Sequence, residues 1–275
     1  MPLSQATRLA QPEDYDHFLA FFAELELVDD PIPDRARWVA EWLPHTFFLE
    51  RDGAPVGYAV THALGELGHV FHVVTHPGHR RQGVGRALMD VAASRLRAAG
   101  CSRWGLNVRV GNDPAMRLYE QCGLTVTYRA TALRFDWARI ADLPREAAVA
   151  RARAVDPTED AAIESAFALA TGRLESLRRR PGWVILGLVA SRGGADLPAG
   201  VACFDPTFPG ASPFRVARPE LAAPLLEAMR AQGRPEDTHV RLVIEADDAV
   251  TAALEAAGAE VKLVALHMEG LLRSP

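Results

Sequence analysis

Between His69 and Leu124 the chain alternates short β-branched runs with longer stretches whose apolar residues recur every three or four positions. Val70 to Thr75 reads as a buried strand, and His76-Pro77-Gly78 ends it, since proline cannot pair within a ladder. Leu88, Val91, Ala92 and Leu96 then share one helical face, with Gly100 placed as a C-terminal stop. After a second strand, Asp113 caps a short helix that starts at Pro114 and ends at Gly123. Ala115, Leu118, Tyr119 and Cys122 form its inward face, so the pattern points the Tyr119 phenol into the molecule.

The same reading places a strand at 6–10, followed by a helix carrying Phe18, Phe21, Phe22 and Leu25. Asp29 to Pro33 breaks that helix, and Asp34 opens another with Trp38 and Trp42 one turn apart. His45 to Glu50 and Pro55 to His62 form a hairpin, and strands at 125–128 and 131–135 close the first half.

Beyond Leu143-Pro144 the order of elements starts again. Pro12-Glu13-Asp14 is echoed by Pro157-Thr158-Glu159-Asp160, and Pro55 to Val60 by Pro198 to Cys203. The face Ala115, Leu118, Tyr119, Cys122 and Gly123 is echoed by Val250, Ala253, Leu254, Ala257 and Gly258. Three echoes in one order predict an internal duplication, with domains at 1–143 and 146–275. The second copy has Leu254 for Tyr119 and no glycine between Gly210 and Gly233. Gly57 to Gly123 spans 66 residues, and Gly200 to Gly258 only 58.

Candidate chemistry gathers at Arg80-Arg81-Gln82-Gly83-Val84-Gly85, directly ahead of a helix. The first turn of a helix has unpaired N–H groups, and its dipole adds positive charge, so this is an anion site. Val84-Gly85 stands where a P-loop needs lysine and a hydroxyl residue, and Leu88 stands where the dinucleotide fingerprint needs its third glycine. The chain resembles the Gcn5-related N-acetyltransferase (GNAT) family. Its Arg/Gln-x-x-Gly-x-Gly/Ala loop is matched by Arg80 through Gly85. Its later motif is matched by Asn112, Ala115, Leu118, Tyr119, Gly123 and Leu124.

The resemblance implies an α+β fold with a splayed mixed sheet, two such domains in tandem, and acetyl-CoA in the first. It implies pyrophosphate on the amides of Arg81, Gln82, Gly83, Val84, Gly85 and Arg86, with Arg80 alongside. The pantetheine arm would pair with Val73, Val74 and Thr75, and Asn112 would bond that arm or cap its helix. Tyr119 would be the general acid: a phenol stays protonated at neutral pH and suits a departing thiolate. His69 lies on the central strand with the parity of Val73 and Thr75, and either takes the amine proton or is a polar strand residue without a role. Glu66 is the fallback base. Asn107 stands where family members that modify protein N-termini carry glutamate. His69 is read as pointing away from His72 and His76, so no metal site is expected. Trp38, Trp42, Asp29 and Asp30 fall where the family places its acceptor wall, with core packing and a solvated loop as the alternatives.

A net charge of −5 argues against a nucleic-acid partner. The three cysteines, Cys101, Cys122 and Cys203, lie far apart and read as reduced. No run is long enough to span a membrane, and MPLSQATRLA carries no apolar signal core, so a cytoplasmic monomer or homodimer is expected. The expected activity is acetyl transfer from acetyl-CoA to a primary amine of a small molecule or peptide, by direct attack in a ternary complex. Alternatives are a CoA-binding sensor or scaffold without turnover, another acyl-CoA donor, or a hydroxyl acceptor.

Overall fold

The computed structural model describes residues 5–25, 32–146, 150–192 and 195–272. The chain divides into two compact units, 1–126 with 268–275, and 127–267.

In the first unit, β1 (Gln5–Leu9), β2 (Thr46–Arg51), β3 (Ala54–Leu64), β4 (Leu67–Thr75) and β5 (Arg103–Arg109) lie side by side in that order. Helix α1 (Tyr15–Ala23) precedes β2, as does α2 (Arg35–Arg37) with its π-helical continuation Trp38–Trp42. Helix α3 (Val84–Ala98) links β4 to β5, and α4 (Asp113–Gln121) leads into β6 (Thr125–Asp136). A core of Phe18, Phe21, Phe22, Trp38, Phe48, Tyr58, Val60 and Val74 fills one face of the sheet. The other face packs against α3, where Val84, Leu88, Ala92 and Leu96 are buried. Burying a valine or leucine side chain in this way contributes about 1.5–3 kcal/mol.

The second unit repeats this order. It has β7 (Ala150–Ala154), α5 (Asp160–Ala166), α6 (Arg173–Arg178), β8 (Val184–Arg192), β9 (Ala195–Asp205), β10 (Gly210–Val216), α7 (Ala222–Arg230), β11 (His239–Glu245), α8 (Asp248–Ala256) and β12 (Glu260–Leu271). The repeat extends to strand register. Leu49 faces Gly57 in the first unit and Leu188 faces Gly200 in the second, and each pairing then skips one residue to reach Pro55 or Pro198. Both copies also brace the first strand to the following turn. Arg8 donates to Asp14 at 2.6 and 2.8 Å, and Arg153 donates to Glu159, each six residues on.

The sequence reading places the division at 143–146, and the compact units meet along the chain at 126/127 and 267/268. From Thr127 onward β6 belongs to the second unit, where it pairs antiparallel with β11, and Trp137, Ile140 and Leu143 join that unit's core. Met268 onward belongs to the first unit, where Leu272 N–H donates to Ser102 O at 2.9 Å and Glu269 pairs with Arg103. The two closing strands expected at 125–128 and 131–135 are one continuous twelve-residue strand.

Candidate active site

In the first unit β4 and β5 run parallel and are paired only from Leu67–Arg103 to Val70–Leu106. Beyond that point they part. From His72 to Thr75, β4 keeps its bonds to β3 on one side, while from Phe71 onward its other edge is open towards the cleft. An open strand edge presents unpaired N–H and C=O groups to any extended partner.

That edge leads into the glycine loop. Eight residues, His76–Gly83, separate β4 from α3. Gly83 has φ +81° and Arg81 has φ +63°, both left-handed. For arginine this costs about 1–3 kcal/mol, strain that collects at functional loops. The first α-helical bond of α3 runs from Ala87 N–H to Gly83 O at 3.0 Å, so the amides of Val84, Gly85 and Arg86 lie ahead of the ladder. The cradle is close-packed beneath: a Cβ on Gly57 would come within 2.6 Å of Val74 O, and one on Gly85 within 3.0 Å of Leu118. Free amides at the N-terminus of a fifteen-residue helix, next to an open strand edge, fit a diphosphate carried on an extended arm.

The side chains of Arg80 and Arg86 are engaged. Arg80 pairs with Glu24 at 2.7 Å; Arg86 pairs with Asp90 at 3.0 Å and donates to Gln121 O at 3.1 Å, tying α3 to α4. Arg51, which sequence reasoning missed, holds the loop from β2 by donating to Gln82 Oε1 at 3.0 Å and Gln82 O at 2.8 Å. No local pattern in the sequence relates Arg51 to Gln82, 31 residues away.

Tyr119 lies on α4 with 9% of its surface exposed, and burial pushes its phenol up to about 12. It is therefore protonated throughout the neutral range. Asn112, rather than Asp113, caps α4: its side chain accepts from Ala115 N–H at 3.3 Å and the helix starts at Asp113. Asn107 is exposed on β5.

The histidines depart from the expected parity. β3 pairs Thr61 with Val70 but Val60 with His72, which leaves Phe71 as an inserted residue, a β-bulge. The bulge reverses the alternation, so His69 shares a face with His72 and Val74 instead of Val73 and Thr75. His72 is buried and shares a 2.9 Å hydrogen bond with the Tyr58 hydroxyl, and burial lowers its pKa to about 3. His69 is half-buried at the last paired stretch of β4 and meets the Phe71 ring edge-on at 4.5 Å. Glu66 sits in the β3–β4 turn, 3.9 Å from Arg103, at the end of β4 remote from the open edge. Trp38 is fully buried in the core, while Trp42 is half-buried with its ring 4.9 Å from that of His72. Asp29 and Asp30 lie outside the described residues. Among the described residues, no group of three or more His, Cys, Asp or Glu side chains is placed to share a metal ion, and no helix is long and apolar enough to cross a membrane.

The second unit has a cleft of its own, differently filled. β10 and β11 are paired only at Gly210–Arg241 and Ala211–Leu242 before they part. Arg215 on β10 donates to Glu245 at the end of β11 at 3.0 Å, and Arg173 of α6 lies 3.6 Å from the same carboxylate. All three side chains are largely buried. Only five residues, Ala217–Leu221, connect β10 to α7, and Pro219 among them has no N–H.

Residues 13–124 match the model of the Acetyltransferase (GNAT) family. This segment is similar to the domains of that family. It is similar to the [ribosomal protein bS18]-alanine N-acetyltransferases of Escherichia coli (strain K12) and Shigella flexneri, each 32% identical over 77 residues, 28% of this chain and 52% of the relative. The chain spans about half the length of the curated relatives it matches. Over 98% of its length it is similar in structure to a GCN5-related N-acetyltransferase from Sphaerobacter thermophilus, covering 96% of that chain with a TM-score of 0.66 and 18% identity. A tandem GNAT protein from the clavulanic acid biosynthesis pathway matches with a TM-score of 0.61 and 18% identity, over 99% of both chains. These likenesses show the fold: two GNAT-like units in tandem, each a mixed sheet flanked by helices.

Proposed function

We propose that the chain is an acetyl-CoA-dependent N-acetyltransferase whose first unit carries the reaction and whose second unit is catalytically silent. The observation that carries this reading is the open edge of β4, from Phe71 to Thr75, running into the amides ahead of α3. The family's co-substrate is acetyl-CoA, and both of its recognition elements have a counterpart in that edge and loop.

In this reading the amides of Arg81 through Arg86 hold the diphosphate, and the main chain of Val73 to Thr75 aligns the pantetheine arm. A backbone N–H of that stretch polarises the thioester carbonyl. A primary amine attacks the carbonyl carbon directly, forming the C–N bond, and the C–S bond then breaks. Tyr119 supplies the proton taken up by the sulfur, and the amine proton passes to His69 or to a water that it holds. Asn112 keeps its capping bond through Oδ1 and has its amide NH₂ left for the arm.

The acceptor is a primary amine of a small molecule or peptide. A peptide with an alanine amine belongs in the first panel, because the relatives named above are [ribosomal protein bS18]-alanine N-acetyltransferases. The test is calorimetric titration with acetyl-CoA followed by thiol release with a panel of amines. One coenzyme per chain and amine-dependent thiol release are expected. Binding with no thiol release for any amine would leave a coenzyme sensor in place of an enzyme. Competition among acetyl-, propionyl- and succinyl-CoA separates the donors.

A further inference from the structure

The β4 bulge does more than reset parity. It delivers Phe71 to the surface at the first position after β4 leaves β5, with 39% of its surface exposed. Its place beside the cleft, rather than its exposure, makes it a candidate for lining a ligand site. Its ring is braced edge-on by His69 at 4.5 Å and His62 at 4.8 Å, and His62 in turn lies 3.8 Å from His45. These rings share the face of the sheet that also carries Trp42 and His72. The result is a row of flat π surfaces that ends beside the edge assigned above to the thioester. Two residues along a strand, from Phe71 to Val73, span about 7 Å. That separation suits a ring resting on Phe71 with its amine on a short alkyl arm reaching the carbonyl.

We propose that Phe71 is the specificity residue of the acceptor site, and that the acceptor is a primary amine joined by a short alkyl arm to a flat aromatic ring. The assignment rests on the transferase reading above. Stacking against Phe71 and the flanking imidazoles recognises the ring, and the face of Phe71 also attracts the arriving ammonium before it loses its proton.

The experiment compares phenethylamine with n-butylamine and glucosamine under saturating acetyl-CoA. Wild-type protein is expected to favour phenethylamine roughly tenfold in kcat/KM, the size of one aromatic contact plus a cation–π term. Phe71→Ala should erase the preference by raising the phenethylamine KM, with kcat and coenzyme affinity held, while Phe71→Trp should keep it. Absence of an aromatic preference in the wild type would overturn the assignment, as would Phe71→Ala lowering kcat for all amines alike. Coenzyme binding without transfer to any amine would instead overturn the transferase reading beneath it.

Discussion

The two clefts are built on the same backbone and filled with opposite chemistry. Gly57 and Gly200 hold equivalent places in register, each with a carbonyl of the next strand where a Cβ would go. From that register Val74 corresponds to Arg215, and the β4–β5 and β10–β11 pairings make Arg109 correspond to Glu245. In one unit the strands part and stay open. In the other an arginine and a glutamate reach across the gap and a second arginine closes on them. Strand register and the Arg–acid brace make the scaffold, so both persist in both copies. In the proposed reading chemistry depends on loop amides and a phenol, and the second copy keeps the strand register with Leu254 and the Ala217–Leu221 loop in their place.

The most severe test of this contrast is Gly83→Val. Nothing lies within 4 Å of a Cβ there, so the damage is conformational: valine resists φ +81°, and the loop would turn its amides elsewhere. Coenzyme binding to the whole chain should vanish in calorimetry while the unfolding midpoint stays close to wild type. Residual binding of one equivalent would place a site in the second unit and break the contrast.

Glu245→Ala comes next. It leaves two buried guanidinium groups facing each other, and breaking a buried pair in this way costs about 3–5 kcal/mol in urea unfolding. The triple change Arg173→Met, Glu245→Leu, Arg215→Met should recover most of that loss. Neither variant should bind a second coenzyme, because Ala217–Leu221 still offers no free glycine amides. Tyr119→Phe acts on the other cleft, with turnover falling about a hundredfold and coenzyme affinity unchanged. An unchanged rate would remove the phenol from the reaction.

The elements that fix the scaffold were mostly legible along the chain. The glycine loop, the inward face of α4 and the echoes between the halves are local patterns, and local patterns survive in one dimension. What was hidden depends on partners. The Phe71 bulge exists only because Val60 and Thr61 on β3 face His72 and Val70, so period-two reasoning put His69 on the wrong face. The place of β6 beside β11 was equally invisible: apolar alternation marks a strand but not its neighbour, and Trp137, Ile140 and Leu143 share a core with residues far beyond them in the chain. Arg173, Arg215 and Glu245 carried no signal either, because three charges so far apart in the chain read as solvated until a fold collects them.

The smallest expected effect concerns pH, and it too distinguishes the units. His72 and Tyr58 form a buried polar pair in the first unit, whereas Val201 holds the place of Tyr58 in the second. An unfolded imidazole takes up its proton near pH 6.5, but the folded His72 does so only near 3. A depressed histidine gives stability that is present above the unfolded value and lost as pH falls through this window. The slope reaches at most about 1.4 kcal/mol per pH unit for one proton. Asp14, whose carboxyl is held below its usual range chiefly by the Arg8 guanidinium, loses its contribution only at lower pH, below the unfolded carboxylate value. The double variant His72→Phe, Tyr58→Phe removes both partners together, so no buried hydroxyl is left unsatisfied. Urea midpoints of the wild type should fall between pH 6.5 and 5, and those of the double variant should fall less. Equal slopes would mean that the acid sensitivity arises outside the aromatic core of the first unit.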